Sequence, residues 1–146
     1  MKEIRFGTVL IGGSEAVGTL PEDALSWLEH FMEANENFIV GDSIGVDLAL
    51  QNYLNSQEYS GVTVYYSGEA SRFNVGGWDA EQVAMRRGEA MTEDADCAFL
   101  IWNGESRGTG ELIEELRRLG KPIFIYRTDF GRLRVVRRKA SVNSDN

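Results

Sequence analysis

The sequence predicts a single α/β domain in which a mainly parallel sheet of about five strands carries helices on both faces. The first observation behind this prediction is that strand-like and helix-like segments alternate along the chain. The second is that the fourth strand-like segment, DCAFLIWN, is apolar nearly throughout, as is typical of strands covered on both faces. The third is the length of 146 residues, which fits one ordinary domain.

Five segments rich in β-branched and other apolar residues are predicted to be the strands. In chain order they read FGTVLIGG, NFIVGD, GVTVYYSG, DCAFLIWN and KPIFIYR. Glycine or polar residues follow the first four of them directly. This pattern indicates that the strands end in loops, which a parallel sheet places at one common edge.

Four segments between the strands are predicted to be helices. The first, PEDALSWLEHFMEAN, has Pro21 at a first helical position and places Leu25 and Leu28 at helical spacing. The second is GVDLALQNYLN. The third, WDAEQVAMRRGEAMTEDA, is predicted to be one helix, or two helices with a break near Gly88. The fourth, TGELIEELRRLG, ends at Gly120, a residue type that is favoured just after a helix.

Residues 1–128 are predicted to form the domain, and residues 129–146 a basic extension that adds a short edge strand or frays. The whole chain has a formal net charge of -8. From Arg127 onward there are six basic and two acidic side chains, so this part carries +4 and residues 1–126 carry -12. We do not expect nucleic acid as a partner, because duplex binding relies on a basic face.

The composition also bears on where the protein works. No run of about 18 apolar residues occurs, so we expect no membrane association. The first residues, MKEIRFGTVLIGG, lead directly into a strand and do not have the pattern of a signal peptide. Cys97 is the single cysteine, which excludes a disulfide framework. We therefore expect a cytoplasmic protein.

Ligands of open α/β sheets bind beyond the carboxyl ends of the strands, so the residues that follow each strand are candidates for a site. After the first strand, Gly12, Gly13 and Ser14 offer backbone N–H groups to an anion; a plain turn is the alternative. After the second strand, Gly41 and Asp42 precede a helix, where either a ligand or a simple helix cap accounts for them.

The third and fourth strands are followed by larger side chains. In SGEASRFNVGGW, Arg72 is suited to clamp a phosphate, and Trp78 either stacks on a base or anchors the next helix in the core. Trp102 ends the fourth strand. Small and basic residues then stand where the fourth helix begins: Ser106, Arg107, Gly108 and Thr109. A helix start with such residues suits an anion, whereas Thr109 as an ordinary cap is the alternative.

Other catalytic constellations are not indicated. The sole histidine, His30, lies on a predicted helix, which argues against a histidine-based triad or zinc site. Cys97 lies in a buried strand, where a thiol is inert packing. We expect neither a metal ion nor a cofactor.

Three stretches of this chain resemble the SLOG superfamily, which comprises DprA-like and "Lonely Guy" (LOG)-like proteins. They are VLIGGSEAVG, VGDSIGVDLA and RRGEAMTEDADCAFLIWNGESRGTGELIEEL, and their order and spacing match the family's glycine turns and its final Gly-Thr loop. The resemblance extends to Thr128. It implies a Rossmann-like domain that binds a nucleotide or a nucleotide-derived small molecule.

The resemblance also implies which residues would do chemistry. In the LOG branch, an arginine in a helix and a glutamate in the Gly-Thr loop cleave a base from a nucleoside monophosphate. Arg87 falls on the arginine position, and Gly108 with Thr109 on the Gly-Thr pair. The glutamate position is Leu112 here, and the candidate carboxylate Glu111 lies one place earlier, about 100° away around a helix.

Two functions follow from these expectations. One is a binding module that holds a nucleotide-like molecule as a sensor or carrier, which agrees with the missing glutamate. The other is an enzyme of the N-glycosidic bond, resembling nucleotide phosphoribohydrolases or nucleoside deoxyribosyltransferases, in which Glu15, Glu69 or Glu111 replaces that glutamate. LOG-like proteins are commonly dimers, so we also expect a homo-oligomer, and Trp27 and Met85 are candidate exposed apolar residues.

Overall fold

The computed structural model describes residues 6–84 and 86–136, and these form a single α/β domain. The strands are β1 (Thr8–Gly13), β2 (Asn37–Gly41), β3 (Val62–Tyr66), β4 (Asp79–Gln82), β5 (Cys97–Trp102), β6 (Ile123–Arg127) and β7 (Arg132–Val136). The helices are α1 (Glu22–Glu33), α2 (Val46–Ser56), α3 (Arg87–Asp94) and α4 (Arg107–Leu119).

One sheet contains these strands in the order β4-β3-β2-β1-β5-β6-β7. The central strand, β1, pairs in parallel with both β2 and β5. The chain builds the sheet outward from β1 to β4, and then returns to place β5 beside β1. All described pairings are parallel except that of β6 with β7. The strand order thus reverses between β1 and β5, and ligands of open sheets bind at such a reversal.

Helices cover both faces of the sheet, as the alternation of segments predicts. Successive side chains of a strand point to opposite faces. In β1, Val9 and Ile11 pack with the buried residues of α1 and α2, whereas Leu10 packs with those of α3 and α4. The inner strands β1, β2, β5 and β6 are therefore apolar nearly throughout because each of them contributes to both cores, whereas β4 at the edge of the sheet is exposed.

The prediction of about five strands was wrong, because the described sheet has seven. The additional parallel strand, β4, lies in the segment that was predicted to be helical. Trp78 comes directly before this strand and is fixed by tertiary contacts: it packs against the first core, and its indole N–H donates to the backbone oxygen of Tyr59 at 2.9 Å. Asn74 forms two hydrogen bonds with the backbone of Trp78: its Oδ1 atom accepts from the N–H at 3.0 Å, and its Nδ2 atom donates to the oxygen at 2.8 Å. These contacts hold the next four residues beside β3.

The seventh strand, β7, lies beyond residue 128, where the sequence allows a short edge strand or a frayed end. Residues 137–146 of the basic extension lie outside the described residues, as does Met85. The other candidate for an exposed apolar residue, Trp27 on α1, is 39% exposed. Within residues 6–84 and 86–136, no helix is both long enough and apolar enough to cross a bilayer.

Gly13 is essential to the centre of the sheet. A Cβ atom at this position would overlap the backbone oxygen of Ile101 on β5. We therefore expect Gly13→Ala to lower the free energy of unfolding by about 3 kcal/mol, at the upper end for overpacking, because the neighbour that must move is backbone. Urea unfolding followed by circular dichroism measures the effect.

Gly18→Ala is the matched control, since a Cβ atom at Gly18 meets nothing within 4 Å. The free energy of unfolding of this control should lie within about 0.5 kcal/mol of that of the original protein, as is usual for surface substitutions. Equal unfolding midpoints for the two variants would show that β1 and β5 are not in the close contact described.

Candidate functional site

A cleft of about 810 Å³ lies at the carboxyl edge of the sheet, where the strand order reverses. It is lined by the end of β1, the loop after β2, and the starts of α3 and α4. The residues predicted from the sequence that line it are Gly12, Gly13, Arg72, Arg87, Ser106, Arg107, Gly108, Thr109 and Glu111. Those outside the lining are Ser14, Gly41, Asp42 and Trp102.

Ser14 and Asn103 connect the two strand ends that flank the cleft. The Ser14 hydroxyl donates to Asn103 Oδ1 at 3.2 Å, and the Asn103 backbone N–H donates to Ser14 Oγ at 3.1 Å. The backbone oxygen of Ser14 also accepts from Val46, the first residue of α2, at 3.1 Å. Ser14 is completely buried. Its described contacts therefore join the loops and fix the start of α2.

The start of α4 faces the cleft with its backbone donors available. Asn103 Oδ1 accepts from the backbone N–H groups of Glu105 and Ser106 at 2.9 Å, which shapes the loop before the helix. The next three N–H groups, at residues 107–109, belong to the first helical turn, where no intrahelical acceptor exists. The Ser106 side chain does not cap these groups. The helix start therefore offers backbone donors and a partial positive charge to the cleft.

The side chains at this helix start have different roles. Thr109 is buried, and its hydroxyl lies 3.4 Å from the Ser106 hydroxyl. A Cβ atom at Gly108 would meet nothing within 4 Å, so this residue leaves open space above the backbone donors. Arg107 is highly exposed and pairs with Glu111, one turn later, at 3.2 Å. The described contacts therefore leave the approach to the backbone clear at Gly108.

Trp102 supports the loop from outside the cleft. Its indole N–H donates to the backbone oxygen of Ser106 at 3.0 Å. The Arg127 guanidinium lies over the Trp102 ring, 5.1 Å from its centroid, and a charge over an aromatic face is favourable. Trp102 and Arg127 thus hold the loop that leads into α4, so the effect of Trp102 on a ligand would be indirect.

Arg87 joins α3 to the end of β2. Its Nη1 atom pairs with Asp42 Oδ1 at 2.5 Å, and its Nη2 atom donates to Ser43 Oγ at 2.9 Å. The Asp42 side chain is only 6% exposed, so the charge of Arg87 compensates a carboxylate that water hardly reaches. Arg72 also binds both Asp42 and Ser43. Its backbone N–H donates to Asp42 Oδ2 at 2.8 Å, and its Nη2 atom donates to Ser43 Oγ at 3.1 Å. Both arginines are therefore positioned by protein contacts, although both line the cleft.

Asp47 is a carboxylate of the cleft that the sequence indicates only as a polar residue at the start of α2. It lines the cleft while being only 7% exposed. Its Oδ2 atom accepts from the Ser43 backbone N–H at 3.4 Å, and the nearby Gly13 backbone N–H favours the charged form of the carboxylate. No ion pair joins Asp47 to an arginine or lysine in the described part of the chain.

The burial of Asp47 changes its acidity. Loss of contact with water raises the pKa of Asp47 from 3.8 to about 7, because burial disfavours the charged form. The positive charge of Arg87 and the N–H groups of Ser43 and Gly13 lower this pKa, but by less than burial raises it. A carboxyl group in a cleft that titrates near neutral pH is a candidate functional group.

Two neighbouring glycines leave room for this carboxylate. A Cβ atom at Gly12 would lie 3.0 Å from Asp47 Oδ1, and one at Gly41 would lie 2.6 Å from Asp47 Oδ2. The Gly41 position would also bring a Cβ atom to within 3.0 Å of Arg87 Cζ. Both glycines were predicted as ligand contacts. Their described neighbours show that they first make room for the side chains of Asp47 and Arg87.

The other carboxylates considered from the sequence are more exposed. Glu15 and Glu111 line the cleft as exposed side chains, whereas Glu69 is exposed and outside the lining. Leu112, at the glutamate position of the LOG branch, packs with the second core. Its Cδ2 atom would lie 3.1 Å from a Cβ atom at Gly88, so Leu112 holds α4 against α3. Among the described residues, no group of three or more potential metal ligands is present.

Comparisons with protein-family models, with curated proteins and with solved structures gave no significant match for this chain. The resemblance to the SLOG superfamily therefore depends on the three motifs alone. The geometry of the cleft comes from this chain independently of that resemblance.

The raised pKa of Asp47 predicts how stability depends on pH. Since the pKa is higher in the folded state than in the unfolded state, folding favours the protonated form, and stability falls as pH rises from about 4 to about 7. Asp47→Asn lacks this titration. The free energy of unfolding of Asp47→Asn minus that of the original protein should therefore increase by up to about 4 kcal/mol as pH rises from 4 to 8, at 1.36 kcal/mol per pKa unit.

Urea unfolding at several pH values measures this difference, in which the titrations common to both proteins cancel. Asp79→Asn on β4 is the control, because Asp79 is an exposed carboxylate away from the cleft. If the free energies of unfolding of the original protein and Asp47→Asn change in parallel with pH, the pKa of Asp47 is not raised by folding.

Proposed function

We propose that this protein binds a nucleotide, or a small molecule derived from one, in the cleft at the carboxyl edge of the sheet. The observation that carries the proposal is the start of α4, where uncapped backbone N–H groups at residues 107–109 face a cleft with open space at Gly108. A phosphate at this position accepts hydrogen bonds from those groups, and the helix dipole favours its charge.

The donors matter more here than the overall charge of the cleft. Arg107 and Arg72 bring positive charge to the lining, but acidic side chains also line it, at Glu15, Glu105 and Glu111. A site that attracted a phosphate only by its net positive charge would not have these acidic side chains in its lining. Fixed backbone donors bind a phosphate by direct hydrogen bonds, and hydrogen bonds to a charged group contribute about 1.5–3 kcal/mol each.

The remaining cleft has room for the rest of a nucleotide. Its volume of about 810 Å³ is within the usual range for small-molecule sites. The cleft also combines an apolar part, from Leu10, Met91 and Leu112, with polar groups on the other side. Apolar and polar parts together are what a base and a sugar require.

The resemblance to the SLOG superfamily supports the same proposal. The glycine turns and the Gly-Thr loop of that family correspond here to the segments around Gly13, Gly41 and Gly108, which lie at one sheet edge. The leucine at position 112 favours a binding role, as a sensor or carrier, over the chemistry of the LOG branch. We further propose that the protein acts in the cytoplasm and as a homo-oligomer, on the basis of that resemblance and the composition.

The second candidate function is an enzyme that cleaves an N-glycosidic bond. The raised pKa of Asp47 in the cleft favours it. A carboxyl group in a cleft with a pKa near 7 can serve as a general base, and Arg87 lies near enough to lower that pKa. Incubation with ribonucleoside monophosphates, followed by chromatography for free base, separates the two candidates. The binding role predicts no release of base beyond the rate without protein, and multiple turnovers would establish the enzyme.

A charge introduced at Gly108 tests the phosphate position. Because a side chain fits there without a clash, Gly108→Asp should fold normally, and an acidic residue in the first helical turn is favourable for the helix. The same carboxylate would occupy and repel the phosphate. We expect the affinity for the best-bound ribonucleoside monophosphate to fall by at least about tenfold, a loss of 1.4 kcal/mol, as measured by titration calorimetry.

Gly18→Asp is the matched control. It adds the same charge at a glycine that also has open space but lies outside the cleft. The affinity of Gly18→Asp for the same nucleotide should stay within about twofold of that of the original protein. If Gly108→Asp binds as well as Gly18→Asp, the start of α4 is not the phosphate site.

A further inference from the structure

Asp47 has more capacity to accept hydrogen bonds than its protein contacts use. A carboxylate has about four positions at which it can accept a hydrogen bond. The backbone N–H group of Ser43 accounts for one of them, through a long contact of 3.4 Å, and the backbone N–H group of Gly13 lies nearby. The side chain also faces the cleft. A ligand in the cleft can therefore donate to Asp47 without displacing a protein partner.

We propose that Asp47 accepts hydrogen bonds from the 2′- and 3′-hydroxyl groups of a ribose, so that the cleft selects ribonucleotides over deoxyribonucleotides. This inference rests on the proposed function, because it assumes that a nucleotide occupies the cleft. It adds the class of sugar and the residue that recognises it.

The chemistry of a carboxylate limits what it can bind. An ionised carboxylate only accepts hydrogen bonds, and it repels a phosphate. It therefore binds groups that donate hydrogen bonds, and the two adjacent hydroxyl groups of a ribose match its two oxygen atoms. The absence of side chains at Gly12 and Gly41 is what permits the carboxylate to lie at this depth in the site.

The position of Asp47 relative to α4 fits one nucleotide. Asp47 lies against the ends of β1 and β2, and α4 begins after β5, the other neighbour of β1. Adjacent strands are about 5 Å apart, so these two points are separated by about one to two strand spacings. A phosphate at the start of α4 and a sugar at Asp47 are therefore within the reach of a single nucleoside monophosphate.

A structural role for Asp47 is the alternative. The side chain accepts from Ser43, four residues earlier, and an acidic residue is favourable in the first turn of α2. That role accounts for the Ser43 contact. It does not require the carboxylate to face the cleft, nor does it make binding depend on the sugar. Selectivity between sugars is therefore the property that separates the two roles.

The experiment compares ribonucleotides with matched deoxyribonucleotides by titration calorimetry. Adenosine, guanosine, cytidine and uridine 5′-monophosphates are tested first, together with their 2′-deoxy counterparts. A 3′-deoxy form of the best-bound nucleotide is then added. At pH 8.5 we expect each missing hydroxyl group to weaken binding at least about tenfold, because each bond is to a charged acceptor.

Two changes should reduce this preference. In Asp47→Asn the charge is absent, and the ratio of the dissociation constants of the deoxy and ribo forms should fall to within about threefold of one. At pH 5.5 the carboxyl group of Asp47 is protonated, and the ratio for the original protein should fall in the same direction. The charged groups that act on Asp47 are Arg87 of α3 and Asp42 after β2. Titration of the ligand phosphate near pH 6 affects both ligands and cancels in the ratio.

The outcomes distinguish the inference from the function on which it rests. If ribo and deoxy forms bind equally well at pH 8.5, or if Asp47→Asn keeps the full preference, the inference is wrong while nucleotide binding stands. If none of these nucleotides binds, both the inference and the proposed function fail. Should Asp47→Asn not fold, the pH dependence of the ratio in the original protein still decides the question.

Discussion

The paired hydrogen bonds between Ser14 and Asn103 hold together the part of the molecule on which the site depends. They join the loops after β1 and β5 across the reversal of strand order. Ser14 extends this connection to the start of α2, and Asn103 extends it to the start of α4. Two helices on opposite faces of the sheet thus begin at fixed positions beside one cleft.

Several polar residues around the site have hydrogen-bond partners within the protein. Ser14 and Asn103 bond each other, and Asp42 bonds Arg87 and Arg72, so these groups are satisfied by the protein. Removal of Arg87 would leave Asp42 as a buried carboxylate with less compensation, and breaking a buried pair in this way is costly. Loss of binding in a variant of Arg87 would therefore report damage to the fold as well as to the site.

Much of the fold can be predicted from the sequence, because apolar strands and glycine-containing strand ends are local signals. The segment after Trp78 could not be predicted, since its residues favour a helix while distant contacts to Tyr59 and β3 make it a strand. The glycine turns indicated the edge of the sheet at which the cleft lies. Asp47 was missed as a site residue, because a polar residue at a helix start usually acts as a cap. Its burial depends on the approach of β1 and β2, which no local pattern shows.

The proposed function depends on a phosphate bound at the start of α4. A crystal structure of the protein with its best-bound ribonucleoside 5′-monophosphate tests this most directly. The account predicts phosphate oxygens within hydrogen-bonding distance of the backbone N–H groups at residues 107–109, with Gly108 in contact with the phosphate. A nucleotide bound elsewhere, or in the cleft with its phosphate directed away from α4, would contradict it.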